Sequence, residues 1–147
     1  MNLHLNDVVS TAGTDYLVEG LISYRLADRK LLLARLVDGG RAQWMAAPSS
    51  DLDERVLFLD VVHDLDITTP PPSNIYYKGH SYLPVFSGDA EVATRGRTPG
   101  RVVGRCPIWR YRAAGDTFIQ IEAWPDGLIV LAGPSVHQGM LQILPAK

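Results

Sequence analysis

Hydrophobic and polar residues alternate with a period of two along most of this 147-residue chain. A clear example is the segment from 15 to 24, which places Tyr16, Val18, Ile22 and Tyr24 on one side of an extended strand. Gly20 interrupts that side and predicts a bulge or bend. Thirteen glycines and ten prolines are more than a helical bundle tolerates, and they favour short strands joined by turns.

The next apolar segment has two interpretations. Leu31–Val37 fits a strand, and Asp38–Gly40 after it predicts a tight hairpin turn. A helix over Leu26–Leu36 is the competing interpretation, because leucine and alanine are good helix formers. The nearby glycine turn and the flanking strands favour the strand.

Residues 51–66 are ambiguous between helix and strand. Val56–Val62 is a continuous apolar run, as in a strand buried on both faces. Asp51–Glu54 fits a short turn, or one helical turn with Ser50 as its N-cap. We expect a turn followed by a strand.

The second half of the chain predicts hairpins more plainly. Predicted turns are Gly79-His80, Ser87–Asp89, Ala114–Asp116 and Pro125–Gly127, and the predicted strands between them include Ser81–Phe86, Ala90–Ala93, Arg101–Arg112, Thr117–Trp124 and Leu128–Ala132. Thr94–Gly100 predicts a mobile loop.

The two halves of the chain resemble each other. Gly13-x-x-Tyr16 in the first half corresponds to Gly79-x-x-Tyr82 in the second, and a proline-rich joint at 69–73 separates them. The sequence therefore predicts one all-β domain over 1–147, an antiparallel barrel or two packed sheets. An approximate internal two-fold repeat is expected to relate halves at about 7–67 and 75–143.

Composition narrows the class of protein. Hydrophobic residues make up 46% and charged residues 20%, which is typical of a globular protein. The net charge of −2 gives no overall attraction to nucleic acid or anionic membranes. The single cysteine, Cys106, excludes an internal disulfide framework and favours a cytoplasmic location. We expect no signal peptide and no transmembrane segment.

A set of turn glycines and strand aromatics gives the chain a family resemblance. The motifs are Gly13-x-x-Tyr16-x-Val18-x-Gly20, Gly79-x-x-Tyr82 followed by Gly88-x-Ala90, and Gly115-Asp116-x-Phe118-Ile119-x-Ile121-Glu122-x-Trp124. In their order they resemble the bacterial domain of unknown function family 4178. The resemblance implies a small bacterial β-rich module whose genes often lie beside those of polyamine-synthase-like and membrane-associated stress proteins. It carries over no catalytic residue.

Motifs of known enzymes and metal sites are missing from the sequence. The four histidines have no metal-ligand spacing, and there is no HExxH, CxxC, P-loop or G-x-G-x-x-G motif. Cys106 lies between Arg105 and Pro107, and arginines favour a thiolate, but a free cysteine is commonly a buried structural residue. We expect the structural role, no catalytic residue, no metal and no cofactor.

Charge is unevenly distributed along the chain. Six arginines and no acid occur between Arg95 and Arg112, whereas six acids occur between Asp51 and Asp66. Arg95, Arg97 and Arg101 are candidate anion-binding residues on an exposed loop. The alternative is that the two charged segments face solvent or each other, and we expect no specific nucleic-acid binding. Three further arginines are predicted to lie on a strand and to alternate with its apolar residues: Arg105, Arg110 and Arg112.

Two functions remain open. The first is a non-enzymatic module that binds a macromolecular partner, expected to be a protein, in a bacterial stress or membrane-associated system. The second is a barrel that binds a small polyamine-like ligand, with Trp124, Glu122 and Asp116 as candidate pocket residues. The sequence predicts neither the partner nor the oligomeric state.

Overall fold

The computed structural model describes residues 1–48 and 55–146. Within these ranges the chain forms eleven strands and a 3-10 turn at Gln138–Met140, and it contains no α-helix. The strands are β1 (Val8–Thr11), β2 (Thr14–Arg25), β3 (Lys30–Asp38), β4 (Arg41–Ala46), β5 (Arg55–Val61), β6 (Ile75–Tyr77), β7 (His80–Gly96), β8 (Gly104–Ala113), β9 (Thr117–Trp124), β10 (Gly127–His137) and β11 (Gln142–Leu144).

Eight of the strands close into an antiparallel barrel. Their order is β2-β3-β4-β5-β10-β9-β8-β7, and β7 pairs with β2 to complete the circle. Strands β1 and β11 extend the sheet beyond β2, and β6 pairs with the start of β7. The all-β prediction and the barrel alternative are confirmed.

The barrel consists of two four-stranded meanders joined at two seams. One meander is β2 to β5, the other is β7 to β10, and the seams are β2–β7 and β5–β10. Each half of the chain thus supplies half of the barrel wall. Superposition of the halves by a two-fold operation stays a prediction.

Apolar side chains fill the inside of the barrel and also cover two parts of its outside. The inner core includes Ile22, Leu33, Leu57, Leu59, Val92, Ile108 and Leu131. One outer layer packs the N-terminal residues and β11 against the first meander. The other packs residues 62–77 against the second meander, where the Tyr111 hydroxyl donates to the Pro72 carbonyl over 2.8 Å. Strands in contact with these layers are buried on both faces.

Glycine allows close backbone approach at both seams. A Cβ on Gly20 would lie 1.9 Å from the Arg97 carbonyl oxygen, and a Cβ on Gly133 would lie 1.9 Å from that of Phe58. The pairing of β2 shifts register between Val18 and Gly20, so the predicted bulge is confirmed.

The ambiguous segments of the first half form strands. Leu31–Val37 lies within β3, so the strand interpretation is confirmed over the helix. Val56–Val61 lies within β5. The predicted turn at 51–54 falls outside the described residues.

The predicted turn at Ser87–Asp89 was wrong. Strand β7 runs without a break from His80 to Gly96, and its residues Ser87–Asp89 pair with Pro107–Trp109 of β8. Gly88 lies in the strand because the Leu26 side chain packs against it, and a Cβ there would lie 2.6 Å from Leu26 Cδ2. The glycine therefore makes room for a core side chain.

Candidate functional site

A buried carboxylate lies at the centre of a polar network inside the barrel. Glu122, on β9, is fully buried. Its Oε1 accepts from Trp124 Nε1 at 3.0 Å, and its Oε2 accepts from Gln120 Nε2 at 3.1 Å. Arg101 donates to both oxygens, from Nε at 3.2 Å and from a terminal nitrogen at 3.0 Å. This two-point contact is the geometry in which a guanidinium binds a carboxylate most strongly.

Arg101 comes from the connection between β7 and β8, and its burial corrects the predicted exposed loop. The side chain enters the barrel from this end, and the residue is buried. Its guanidinium lies over the Trp44 ring, 4.3 Å from the ring centre, and donates to the Pro99 carbonyl at 3.2 Å. We call this the Arg101 end of the barrel.

Electrostatics keep the buried Arg101 guanidinium charged. Burial alone would lower the pKa of Arg101, but the charge and hydrogen bonds of Glu122 outweigh it, so the pKa lies above its ordinary value. The Tyr24 hydroxyl is also buried at this point, and burial, with the Glu122 charge, raises its pKa well above the usual range. Tyr24 therefore stays neutral.

The three candidate ligand residues separate in space. Glu122 and Trp124 form a hydrogen bond inside the barrel, and the Arg101 side chain occupies the position next to Glu122 that a cationic ligand would take. Asp116 lies at the β8–β9 turn instead, where it contacts Arg112 and, at 3.1 Å, Arg55. The hydrogen bond from Arg112 and the nearby arginine charges lower the pKa of Asp116.

The other two arginines predicted to lie on the exposed loop, Arg95 and Arg97, are on the surface. Arg95 is exposed and lies on β7, paired with Leu21 of β2, so its predicted place on a loop was wrong. Arg97 is exposed just after β7, with its Nε 3.7 Å from Glu19. The three candidate anion-binding residues therefore do not form one cluster of equally exposed cations.

Cys106 is a core residue. Its thiol is buried on β8 and contacts the carbonyl oxygens of Pro107, at 3.3 Å, and Ala123, at 3.5 Å. Burial, with the nearby Glu122 charge, raises its pKa to about 12. A thiol with that pKa is protonated at neutral pH, and such a thiol is a poor nucleophile.

The remaining three arginines lie on a strand as predicted, but one of them, Arg110, shares a face with Cys106 instead of alternating with it. Arg105, Arg110 and Arg112 all lie on β8. Arg110 is buried and shares the inward face with Cys106, because even-numbered residues of β8 point the same way. Arg112 continues that face to the far end of the barrel, where its side chain is exposed.

The far end of the barrel forms an open, cationic mouth. A cavity of about 290 Å³ lies there, lined by Arg29, Ala47, Arg55, Leu57, Val85, Phe86, Arg110, Arg112 and Phe118. We call the four arginines of this lining the arginine mouth. It lies opposite the Arg101 end, since the β2–β3 and β8–β9 connections reach it and the β7–β8 connection does not.

Aromatic rings position three of these arginines. The guanidinium groups of Arg29 and Arg110 lie over the Phe86 ring, at 4.4 Å and 5.0 Å from its centre. Arg112 lies over Phe118 at 5.6 Å. Arg110 also donates to the Gln120 side-chain oxygen at 2.6 Å. Cation–π contacts and this hydrogen bond restrict the guanidinium positions.

An exposed apolar surface adjoins the arginine mouth. Tyr76 is 74% exposed, Leu83 is 58% exposed and Val85 is 48% exposed. Tyr76 pairs with Ser81 in the β6–β7 hairpin, which places it on the same face as Leu83. We call Tyr76, Leu83 and Val85 the hairpin face. Val85 belongs to both surfaces, because it also lines the mouth cavity.

The described residues contain neither a metal-binding cluster nor a helix that could span a membrane. No cluster of three or more histidine, cysteine or acidic side chains with metal-binding geometry occurs among them. None of their helical segments is long and apolar enough to cross a bilayer.

Sequence reasoning missed the arginine mouth. Its members come from three separate parts of the chain, the β2–β3 connection (Arg29), β5 (Arg55) and β8 (Arg110 and Arg112), so no local motif marks it. The hairpin face had one usable signal, because Leu83 and Val85 belong to an uninterrupted run of nonpolar residues from Tyr82 to Phe86.

Comparison with known proteins identifies one relationship. A family model described as "Domain of unknown function (DUF4178)" matches residues 4–138. No curated protein and no solved structure matches the chain.

Proposed function

Because the chain belongs to the DUF4178 family of domains of unknown function, its own surface is the best guide to its role, and we propose that it binds a partner protein without catalysing a reaction. The binding surface in this proposal is the hairpin face together with the arginine mouth. The setting we propose, from the family resemblance, is a bacterial stress or membrane-associated system in the cytoplasm.

The exposure of the hairpin face is the observation that carries this proposal. Three large apolar side chains, Tyr76, Leu83 and Val85, are between about half and three-quarters exposed on neighbouring strands. A contiguous apolar surface beside polar residues is typical of a protein interaction site. Arginine and tyrosine, both present here, are among the residues that contribute most to binding at such sites.

The barrel interior supports the same proposal. Its space is filled by apolar side chains, and its buried carboxylate, Glu122, is bound by the chain's own Arg101. The Cys106 thiol is buried and protonated, which argues against nucleophilic catalysis.

A second candidate is a small cationic ligand of the polyamine type. Glu122, Trp124 and Trp44 do surround a cation, in the way that cation-binding sites combine a carboxylate with aromatic rings. That cation is the Arg101 guanidinium. A ligand would have to displace Arg101 from a fully buried ion pair, so this function is the weaker of the two.

Site-specific photo-crosslinking tests the partner proposal. A photoreactive amino acid is placed at Val85, or at Val103 as the matched control, in cells that naturally make the protein. Val103 is a valine at the Arg101 end and is 72% exposed, so it reports accidental contacts. We expect a discrete protein adduct from position 85 and none from position 103. Identical adducts from both positions, or none from position 85, would contradict the proposal.

A further inference from the structure

Three of the mouth arginines are paired with aspartates of their own chain. Asp28 contacts Arg29 at 3.3 Å. Asp116 contacts Arg112 and, at 3.1 Å, Arg55. Hydrogen bonds from Arg29 and Arg112 are the main reason that the pKa of each aspartate lies below its ordinary value. A carboxylate ligand would have to compete with these aspartates, so charge attraction does not identify what the mouth binds.

The flat faces of the guanidinium groups contact aromatic rings. The Cζ atoms of Arg29 and Arg110 lie 4.4 Å and 5.0 Å from the centre of the Phe86 ring. Arg112 lies over Phe118 at 5.6 Å, and its side chain is 55% exposed. A guanidinium is planar, so its edge can donate hydrogen bonds while its faces stack on rings. The mouth thus already contains arginine–aromatic stacking, and a further ring would extend it at Arg112.

The cavity wall between the arginines is apolar. The rest of its described lining consists of Ala47, Leu57, Val85, Phe86 and Phe118. An apolar ligand would cover this wall without leaving a buried polar group of its own unpaired. An aromatic side chain combines such an apolar surface with a π face that attracts a guanidinium. The composition of the wall therefore favours an aromatic ligand.

The size of the cavity favours a side chain as its occupant. Its volume of about 290 Å³ lies just below the usual range of roughly 300–1,000 Å³ for sites that enclose a whole small molecule. At protein interfaces, single anchoring side chains of the partner fill small, well-packed pockets. The cavity therefore fits one anchor residue better than a free ligand.

The hairpin face continues the apolar surface of the mouth. Val85 lines the cavity. Leu83 pairs with Arg112 across β7 and β8, so their side chains lie on the same face of the sheet. Tyr76 adjoins Leu83 on that face, because it pairs with Ser81, two residues before Leu83. A residue next to the partner's anchor would therefore rest on Leu83 while the anchor enters the mouth.

We propose that the arginine mouth binds an aromatic side chain of the partner protein, which stacks on the guanidinium of Arg112, and that an adjoining aliphatic residue of the partner packs on the hairpin face. This inference rests on the proposed partner-binding function and names the chemistry of the partner. Recognition in this proposal depends on apolar contact and on the faces of paired arginines, and it needs no excess of charge.

Selection of peptides from a random linear library displayed on phage tests the inference, with the purified full chain as the target. We expect enrichment of phenylalanine, tyrosine or tryptophan next to leucine, isoleucine or valine. Val85→Arg is the matched control target, because it puts a long side chain at the mouth and Val85 is 48% exposed. The same enrichment on both targets, or no aromatic enrichment on the parent chain, would overturn the inference.

Fluorescence anisotropy with the best selected peptide separates stacking from charge. Arg112→Lys keeps the positive charge beside Asp116 but removes the planar guanidinium. We expect it to weaken binding about fivefold, as for the loss of one cation–π contact. Arg25→Lys is the matched control and should bind like the parent chain, since Arg25 is also exposed and paired, with Glu91. Parent-like binding by Arg112→Lys, or equal weakening by Arg25→Lys, would overturn the inference.

A change in the peptide keeps the result independent of protein stability. Replacing its aromatic anchor with cyclohexylalanine keeps an apolar ring of similar size but removes the π face, so binding should weaken at least about threefold. Equal binding would show that the mouth recognises only apolar size, and tighter binding with glutamate at that position would show that it recognises charge. Either result would overturn the inference.

The crosslinking at Val85 and Val103 reports partner binding separately. A discrete adduct from position 85 together with peptides that lack aromatic residues would leave the proposed function in place and remove this inference. Aromatic peptides that depend on Arg112, without an adduct in cells, would support the chemistry of the mouth and contradict the proposed partner.

Discussion

The two ends of the barrel use the same side-chain types in different surroundings. At the Arg101 end, an arginine stacks on Trp44 and its charge is matched by the buried carboxylate of Glu122. The connection between β7 and β8 thus closes this end with a paired charge.

At the mouth, an arginine again stacks on an aromatic ring, and one of its hydrogen bonds goes to a neutral amide. Arg110 lies over Phe86 and donates to Gln120, which lies two residues before Glu122 on the inward face of β9. One face of one strand therefore carries a carboxylate at the closed end and an amide at the open end.

This difference separates a structural arginine from arginines suited to binding. A buried ion pair is costly to break and is saturated by its own hydrogen bonds. Arginines at a partly exposed mouth keep donors within reach of a partner. The comparison therefore predicts large stability effects at the Arg101 end and small ones at the mouth.

Loss of the Glu122 charge should have the largest effect. Glu122→Gln keeps the shape of the side chain but leaves Arg101 buried without a counter-charge, so we expect the free energy of unfolding to fall by about 3–5 kcal/mol. Urea unfolding followed by tryptophan fluorescence measures it. Adding Arg101→Met to Glu122→Gln should recover part of the loss.

The exposed pair Arg25–Glu91 provides the control. A terminal nitrogen of Arg25 lies 2.5 Å from a carboxylate oxygen of Glu91, but both side chains are more than half exposed, so solvent screens the interaction. Glu91→Gln should leave the unfolding midpoint unchanged within error. If Glu122→Gln destabilised the protein no more than Glu91→Gln does, the buried Arg101–Glu122 pair would not differ energetically from the exposed Arg25–Glu91 pair.

Thiol labelling should separate the closed interior from the open mouth. Cys106 is buried and its thiol is protonated at neutral pH, so a thiol reagent should modify the native protein only as fast as it opens. A cysteine placed at Val85 in a Cys106→Ser background should react at the rate of a free thiol. Rapid stoichiometric labelling of native Cys106 would contradict a sealed core.

The same thiol predicts a loss of stability at high pH. The pKa of Cys106 rises on folding, from an ordinary value of 9.0 to about 12. Above pH 9 the unfolded chain therefore releases a proton that the folded chain keeps, and stability falls as pH rises toward 12. Cys106→Ser should lose less stability between pH 9 and pH 11 than the parent chain. Identical pH profiles would argue that the thiol is solvated.

Substitutions at the mouth should have the smallest effect on stability. Arg112 and Val85 are exposed, so Arg112→Gln and Val85→Ser should each change the free energy of unfolding by no more than roughly 0.5 kcal/mol. The same variants should weaken binding of the partner protein. If they destabilised the protein as much as Glu122→Gln does, the mouth would be a structural feature like the Arg101 end.

The β-architecture was predictable because its signals are local. Asp38–Gly40 does form the turn between β3 and β4, and Gly13 and Gly79 adopt the positive φ values, 79° and 80°, that their turns require. Alternation of apolar residues fixes which face of a strand is buried, and this needs no knowledge of distant partners.

The candidate site was not predictable in the same way, because it depends on distant contacts. Arg101 reads as a loop cation between Gly100 and Val102, and only Glu122, twenty-one residues later, explains its burial. Glu122 carried a weak signal, since it lies between Ile121 and Ala123 in a strand with apolar residues on both faces. A charge in such a strand needs a buried partner, but the sequence does not say which one.

The most direct test of the account is a nuclear magnetic resonance titration of the labelled full chain with the partner protein that crosslinks at Val85. We predict saturable shifts of the backbone amides of Val85, Phe86 and Arg112, with the indole N–H signal of Trp124 unchanged. That result would place binding at the open mouth and leave the Arg101–Glu122 end closed. Shifts of the Trp124 indole without changes at Val85 and Arg112 would contradict the account, because the ligand would then occupy the barrel interior.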